Sequence, residues 1–489
     1  MQFELLLSNE SRSLPSVRAF ARETLGQLPL SAEHAQEIEQ LIVNAVSDAI
    51  DHAYPPGEEG PIILKVNDRH GRLEIRVRDH GVPQDIEVLE RQLHESDGTP
   101  PLLFGSPMAG SVDEVHWLAF GPEGKALQVI KWLHDTNIAT QADPADLAPF
   151  QQDAPLAPPQ DYDIGRMRPS EAVEISQLMY RAYGNTYFNP DVYYPERIAA
   201  QNSKGSVISV VARDAAGDLA GHCALELNQG GPVGEVGQAV VDPTHRGRGL
   251  LDRMKDALVA EGARLELAGW YGDAVSVHTF TQKSDVKHGG HLACVDLGIS
   301  PETEAFRGIS VQQPQRVSCL LYFHWLREPS ARTVFVPQRQ QEIIAAIYEN
   351  LQCPVEFGAV ADPQGHATLT VKFEPGAARG SVRVERVGAD TVYCVRQAKR
   401  QLIERSGARV VFVDLPLNDS GTPRVVEDLE RLGFGVAGVG PHFAEGGDLL
   451  RLVYLVAPLA RDPIKTFEPF ADRLVNYVLA EQVRVQDAL

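Results

Sequence analysis

The stretch QADPADLAPFQQDAPLAPPQ, residues 141–160, most limits what this chain can fold into. It is rich in Pro, Ala, Gln and Asp, holds few large apolar side chains and has no hydrophobic period. It therefore reads as a semi-extended linker. The chain has 489 residues, and a single core stops growing near ~250–300. A weaker boundary falls at LREPSAR, between the apolar runs VSCLLYFHW and TVFV. The expected layout is an N-terminal domain over 1–140, the linker 141–160, a second domain over 161–330 and a third over 331–489. The fold class expected is α+β, in several domains.

Charge and composition narrow the function classes. Lys and Arg number 45 against 66 Asp and Glu, a formal net charge of −21. Nucleic acid and anionic membrane are repelled on average, so neither is an expected partner. No apolar run approaches the ~18 residues of a membrane span. The start, MQFELLLSNESR, lacks a basic segment followed by an apolar one, so no secretory signal is expected. Five cysteines are scattered with no CxxC pair. Reduced thiols in a cytoplasm fit this usage, with no metal site expected.

The first 140 residues read as a strand at 2–7, helices around 13–28 and 32–54, then two hairpins. Pro55-Pro56-Gly57 ends the second helix. The hairpins are PIILKVN (61–67) with RLEIRVRD (72–79), and EVHWLAF (114–120) with ALQVIKW (126–132). Helices on one side of an antiparallel sheet give a two-layer α/β sandwich. Two segments, NAVSDAIDHAY (44–54) and VRDHGVP (77–83), stand in the order seen in the histidine-kinase-like ATPase fold. The region resembles its anti-sigma-factor serine-kinase branch. The resemblance implies that Asp79, followed by Gly81, would meet the adenine amino group. It places Asn44 and Asp48 where the family has Glu and Asn for base and magnesium duties. Asn44 cannot accept a proton at neutral pH, Pro83 replaces the last motif glycine, and the close glycine pattern of the lid is missing. ATP with magnesium is thus a candidate cofactor, and a regulatory protein a candidate partner. A scaffold without nucleotide, binding without catalysis, and active phosphotransfer all stay open.

The second domain carries the sharper motif. Residues 233–270 read as a strand, the loop THRGRGL and an amphipathic helix. Gly247 and Gly249 allow close backbone approach and positive φ. The head of a helix offers unbonded N–H groups and the positive dipole end, and Arg246 and Arg248 add cationic charge. The combination suits a di-anion such as pyrophosphate. The segment resembles the GNAT acetyltransferase family, whose Arg/Gln-x-x-Gly-x-Gly/Ala motif holds the pyrophosphate of coenzyme A. Arg246, Gly247, Arg248, Gly249, Leu250 and Leu251 match it, with Leu251 in place of the final small residue.

The same resemblance implies that the backbone of Gln238, Ala239, Val240 and Val241 pairs with the pantetheine arm of acetyl-CoA. The next strand is expected at 274–280. A polar residue after it, Gln282, Ser284 or Asp285, would contact the cofactor or protonate the departing thiolate. We assign Gln282 to the cofactor and Ser284 to catalysis. Glu235 and His278 are the expected bases, since an acceptor amine must lose a proton. A solvated strand glutamate and a satisfied core histidine are the bland alternatives. Cys294 is expected as a small buried thiol.

Residues 331–489 repeat a strand–helix–strand–strand order that resembles the second half of a GNAT domain, without the Arg-rich loop. A degenerate GNAT-like module is expected there. It includes a helix over 395–407 and another over 422–434, capped by Thr422. Asn418 and Asp419 line a site or only form a turn. The expected function is transfer of acetyl from acetyl-CoA to a small-molecule or protein amine, with a nucleotide-binding-like regulatory domain. The rival is a non-catalytic partner-switch regulator that senses acetyl-CoA or nucleotide.

Overall fold

The computed structural model describes residues 2–487 apart from 29, 31, 56, 70–71, 81–113, 120–123, 133–136, 152–153, 188, 228–230, 303–312 and 445. The N-terminal strand and helices are β1 (Gln2–Ser8), α1 (Leu14–Leu25) and α2 (Ala32–His52). Along α2, Ile38, Leu41, Ile42, Ala45, Val46 and Ala49 recur three and four residues apart, so one stripe is apolar. That stripe packs on Ile62, Leu64 and Val66 of β2 (Pro61–Arg69) and on Leu73, Ile75 and Val77 of β3 (Arg72–Asp79). β4 (Glu114–Ala119) and β5 (Lys125–Trp132) complete an antiparallel order β1-β2-β3-β5-β4.

The middle segment holds β6 (Asp163–Arg166), α3 (Ala172–Tyr183), α4 (Pro195–Lys204), β7 (Val207–Arg213), β8 (Leu219–Glu226) and β9 (Val233–Val241). After them come α5 (Leu250–Arg264), β10 (Gly269–Val275), α6 (Phe280–Lys287), β11 (His291–Ser300) and β12 (Val317–Trp325). Their order in the sheet is β6-β7-β8-β9-β10-β12-β11; only β9 and β10 run parallel. One face packs on α5 through Met254 and Leu258. The opposite face packs on α3 and α4 through Ile175, Met179 and Ile198.

The strand expected at 274–280 is corrected by the structure. β10 runs Gly269–Val275, and His278 stands in the turn before α6. The glycines of GWYGDAV read as punctuation, yet they are packing devices. A Cβ on Gly269 would lie 2.4 Å from the Phe323 ring, and one on Gly272 would meet Asp285 Oδ1 at 3.4 Å.

The C-terminal segment contains β13 (Arg332–Val334), α7 (Gln341–Asn350), β14 (Val355–Phe357), β15 (Thr368–Glu374), β16 (Arg379–Arg386), α8 (Thr391–Arg400) and β17 (Val410–Pro416). It ends with α9 (Thr422–Glu430), β18 (Gly435–Ala444), β19 (Gly447–Leu455) and α10 (Pro469–Gln486). Two compact units result: Met1–His134 with Asp362–Leu415, and Asp135–Ala361 with Pro416–Leu489. Residues 331–489 are shared between them. In the first unit β15 pairs with β4, from Leu369↔Ala119 to Phe373↔Val115, and the sheet continues through β16 to β17. In the second, β18 meets β11 at Cys294↔Gly438 and β19 pairs with β18.

Two helix boundaries also shift. α8 begins at Thr391, not 395, and closes in a wide turn over Gln401–Arg405. Gly421, not Thr422, caps α9; Thr422 is its first residue, and its hydroxyl donates to the Pro416 carbonyl at 2.6 Å. Asp419 forms the turn, accepting from the Gly421 N–H at 2.8 Å.

Candidate functional site

The parallel pairing of β9 and β10 covers only Val233–Glu235 against Gly269–Tyr271. β9 then continues to Val241 without a β10 partner. The cause lies at Gln238, whose φ of 50° is left-handed. The β8–β9 register slips at this point, between His222↔Val240 and Ala224↔Gly237. This is a β-bulge, which bends a strand. Three side chains hold it. The Gln238 N–H donates to Tyr187 Oη at 2.9 Å, and its carbonyl lies 3.0 Å from His222 Nδ1. The Gln238 side-chain amide donates to Glu226 Oε1 at 3.0 Å. One residue on, Tyr183 Oη donates to the Ala239 carbonyl at 3.0 Å. Burial pushes the His222 imidazole down to about 4, so at neutral pH it is uncharged and presents a single N–H.

At the end of β9 the chain turns through Asp242, which caps Pro243–His245 by accepting from the Thr244 N–H. Gly247 and Gly249 have φ of 76° and 67°, and a Cβ on either would meet nothing within 4 Å. Gly249 is the N-cap of α5, so Leu250 and Leu251 open that fifteen-residue helix. Arg246 is exposed. Arg248 is committed elsewhere: its guanidinium donates to the carbonyls of Ala157 and Pro158 and lies over the Tyr162 ring. The glycine loop, the first turn of α5 and exposed Arg246 thus leave open space beside a helix N-terminus and a positive charge, which suits a pyrophosphate.

Glu235 is half-buried beside the last paired residues of β9, and Tyr271 Oη donates to its Oε2 at 2.9 Å. Tyr271 is buried, and that burial together with the Glu235 charge keeps its phenol protonated. His278 lies past the end of β10, in the connection to α6, while Glu235 lies beside Tyr271 within that strand's paired part. His278 lines an open cavity of about 670 Å³ with Phe280, Arg461 and Lys465. Gln282 is fully buried and donates to the carbonyls of His278 and Lys465. Ser284 accepts from Lys255 at 3.2 Å, and Lys255 also donates to Asp285 at 2.6 Å. Both members of that pair are almost wholly buried, joining α5 to α6. Cys294 is a buried thiol.

In the other unit, Asp79 is buried at the end of β3, with Lys125 Nζ 3.6 Å from its Oδ1. Asn44 accepts from the Gln40 amide at 2.7 Å, and Asp48, four residues on, is half-buried. Gly81, Pro83 and the expected lid lie outside the described residues. Among the described residues no three His, Cys, Asp or Glu side chains gather as a metal site, and no helix is long and apolar enough to cross a membrane.

The residues that sequence reasoning passed over are Glu226, Tyr187, His222 and Tyr271. Glu226 had one visible mark, a carboxylate ending the otherwise apolar run LAGHCALEL. Tyr187 lay in a tyrosine-rich loop with nothing to single it out.

Residues 7–132 match the profile of the histidine kinase-like ATPase domain, and residues 172–281 match that of the acetyltransferase (GNAT) family. Over 142 residues the chain is 29% identical to the anti-sigma F factor of Bacillus cytotoxicus and 28% to that of Bacillus anthracis. Each alignment spans 28% of this chain and 93% of the relative. An N-acetyltransferase from Staphylococcus aureus superposes with a TM-score of 0.29 at 14% identity, over 34% of this chain and 99% of its own. A GNAT superfamily phosphinothricin acetyltransferase from Sinorhizobium meliloti, in complex with acetyl-CoA, gives 0.28 at 13%, over 34% and 88%.

The open space at Gly249 yields a test. Gly249→Glu would place a bulky anion at the head of α5 in a conformation only glycine adopts freely. Calorimetric titration should show CoA binding to the native chain and none to the variant. Equal affinity in both, or no binding to either, contradicts the assignment.

Proposed function

We infer, from a chain that joins a histidine kinase-like ATPase domain similar to anti-sigma F factors to a GNAT acetyltransferase domain, that it moves acetyl from acetyl-CoA to an amine. The observation that carries this reading is the parting of β9 from β10 beyond Glu235, with the glycine loop following on the same strand. Bound acetyl-CoA would supply an activated acyl group as its thioester. The chain's own residues do the rest. Gly247, Gly249 and the first turn of α5 hold the pyrophosphate, helped by Arg246. The backbone of Gln238–Val241 would line the pantetheine arm, the Gln238 N–H and carbonyl being held by Tyr187 and His222. Glu235, oriented by Tyr271, takes the proton of the acceptor ammonium. Ser284 and Gln282, engaged within the packing of α6, act by holding that helix. The element order of 379–455 supports a degenerate GNAT-like half within 331–489.

The N-terminal domain, in this reading, is regulatory and takes a protein partner. Asn44 stands where phosphotransfer needs a carboxylate base, so nucleotide binding at Asp79 would proceed without chemistry. With labelled ATP and magnesium, phosphate release should not exceed background. Release that disappears in Asp79→Ala contradicts this. The rival, a regulator that senses acetyl-CoA without consuming it, predicts no CoA release with any amine.

An alkylammonium has a pKa near ~10, so about one molecule in a thousand is deprotonated at pH 7. A positioned base contributes roughly 10²–10⁴-fold. Glu235→Gln should lower kcat at pH 7 by at least about tenfold. The deficit should shrink as pH rises and the amine deprotonates unaided, while acetyl-CoA affinity stays unchanged. An unaltered pH–rate profile contradicts the base assignment.

A further inference from the structure

Among the described residues of its unit, Glu226 is the exception among the buried carboxylates. Six others lie against a cation: Glu171 with Arg213, Asp242 with Arg181, Asp285 with Lys255, Asp296 with Arg451, Asp448 with Arg332 and Glu481 with Arg484. Glu226 is only 7% exposed, yet its partners are two neutral amides, Gln238 at 3.0 Å and Asn189 at 3.5 Å. No Lys, Arg or His among the described residues bonds to it. A buried carboxylate with no counter-charge is costly unless something else supplies one.

The surroundings show where that charge would come from. The Cβ that Gly237 lacks would lie 3.5 Å from Glu226 Oε1, 3.6 Å from Glu235 Oε1 and 3.8 Å from Tyr187 Oη. Two carboxylate oxygens, from the paired residues Glu226 and Glu235 of β8 and β9, and the phenol oxygen of Tyr187 from the loop after α3 therefore lie around one bare backbone position. A primary ammonium offers three N–H donors and one positive charge. The other charged groups around Glu226 are Glu235 and Asp191, the latter bound to Arg197 at 2.6 Å. His222, on the same strand, is uncharged at neutral pH.

We propose that Glu226 is the specificity-determining residue of the acceptor site, where Glu226, Glu235 and Tyr187 cradle a primary alkylammonium that carries no anionic group beside its nitrogen. This rests on the acetyl-transfer reading above and names the substrate class for it. An α-amino acid would bring its own carboxylate against two others in a desolvated site and is excluded. Transfer turns the ammonium into a neutral amide, so the product loses the charge that held the substrate, and its release is favoured. Burial raises the Glu226 carboxyl above the usual carboxylate range, the Gln238 bond opposing it and Asp191 adding to it, and a bound cation would favour its ionised form.

The test is calorimetric titration of the full chain, in the presence of CoA, with 1,4-diaminobutane and with glycine. The native chain should bind the diamine at least tenfold more tightly than glycine. Glu226→Gln, whose one amide oxygen can still accept from Gln238, should weaken the diamine at least tenfold and remove the preference over glycine. Glu226→Asp, retaining the charge, should fall between them and guards against a folding defect in the first variant. Equal diamine affinity in the native chain and Glu226→Gln, or tighter glycine binding, overturns the proposal. Assays of CoA release separate the two readings. Acetylation of glycine but not of the diamine sinks the cradle and leaves the transferase standing. Diamine binding that depends on Glu226 without any CoA release sinks the transferase and leaves the cradle.

Discussion

The left-handed conformation of Gln238 is the constraint on which the site depends. For a residue with a side chain such a conformation costs on the order of 1–3 kcal/mol, so it persists only where neighbours over-determine it. Here Tyr187 takes the N–H, His222 takes the carbonyl and Glu226 takes the side chain. With the bulge fixed, β9 leaves β10 after the Glu235↔Tyr271 pair and runs on to Val241 without a β10 partner. The same bend aims the strand end at Asp242, where the turn into the glycine loop starts. One distorted residue thus couples the parting of the strands, Glu235 beside it and the glycine loop at the head of α5, the three parts of the proposed site.

The linker takes part in this arrangement. Its sequence reads as a spacer, yet Arg248 donates to the carbonyls of Ala157 and Pro158, and the Ala157 N–H donates to the Thr244 carbonyl at 2.8 Å. The linker is clasped to the loop it precedes by ninety residues. Arg248 therefore braces the glycine loop, and the exposed cation for an anion is Arg246. In a protein of net charge −21, N–H groups and an arginine gathered at one place can still favour an anion at close range, because salt screens the distant acids.

Much of the fold was legible because its periodicities are clean. The three-and-four spacing of α2 and the alternation of β2 and β3 follow from one buried face each. The glycine loop was legible because its chemistry is local. β10 was not, since both its faces are covered and Gly269 and Gly272 serve close packing against Phe323 and Asp285. Glu226 and Tyr187 were illegible for a different reason. Their roles arise from convergence over Gly237 of residues up to fifty apart, and no spacing within one element encodes that. Likewise nothing in the sequence distinguished Ser284 and Gln282 as packing residues until the buried Lys255–Asp285 pair and the Lys465 carbonyl stood beside them.

The central claim is that the parted strand and the glycine loop form one coenzyme-holding surface. Hydrogen–deuterium exchange of the full chain, with and without saturating CoA, reads that surface amide by amide. The account predicts slowed exchange across Gln238–Val241 and Arg246–Leu251 together, with Met1–His134 unchanged. Absence of protection in either segment, or protection confined to the first 134 residues, would contradict it.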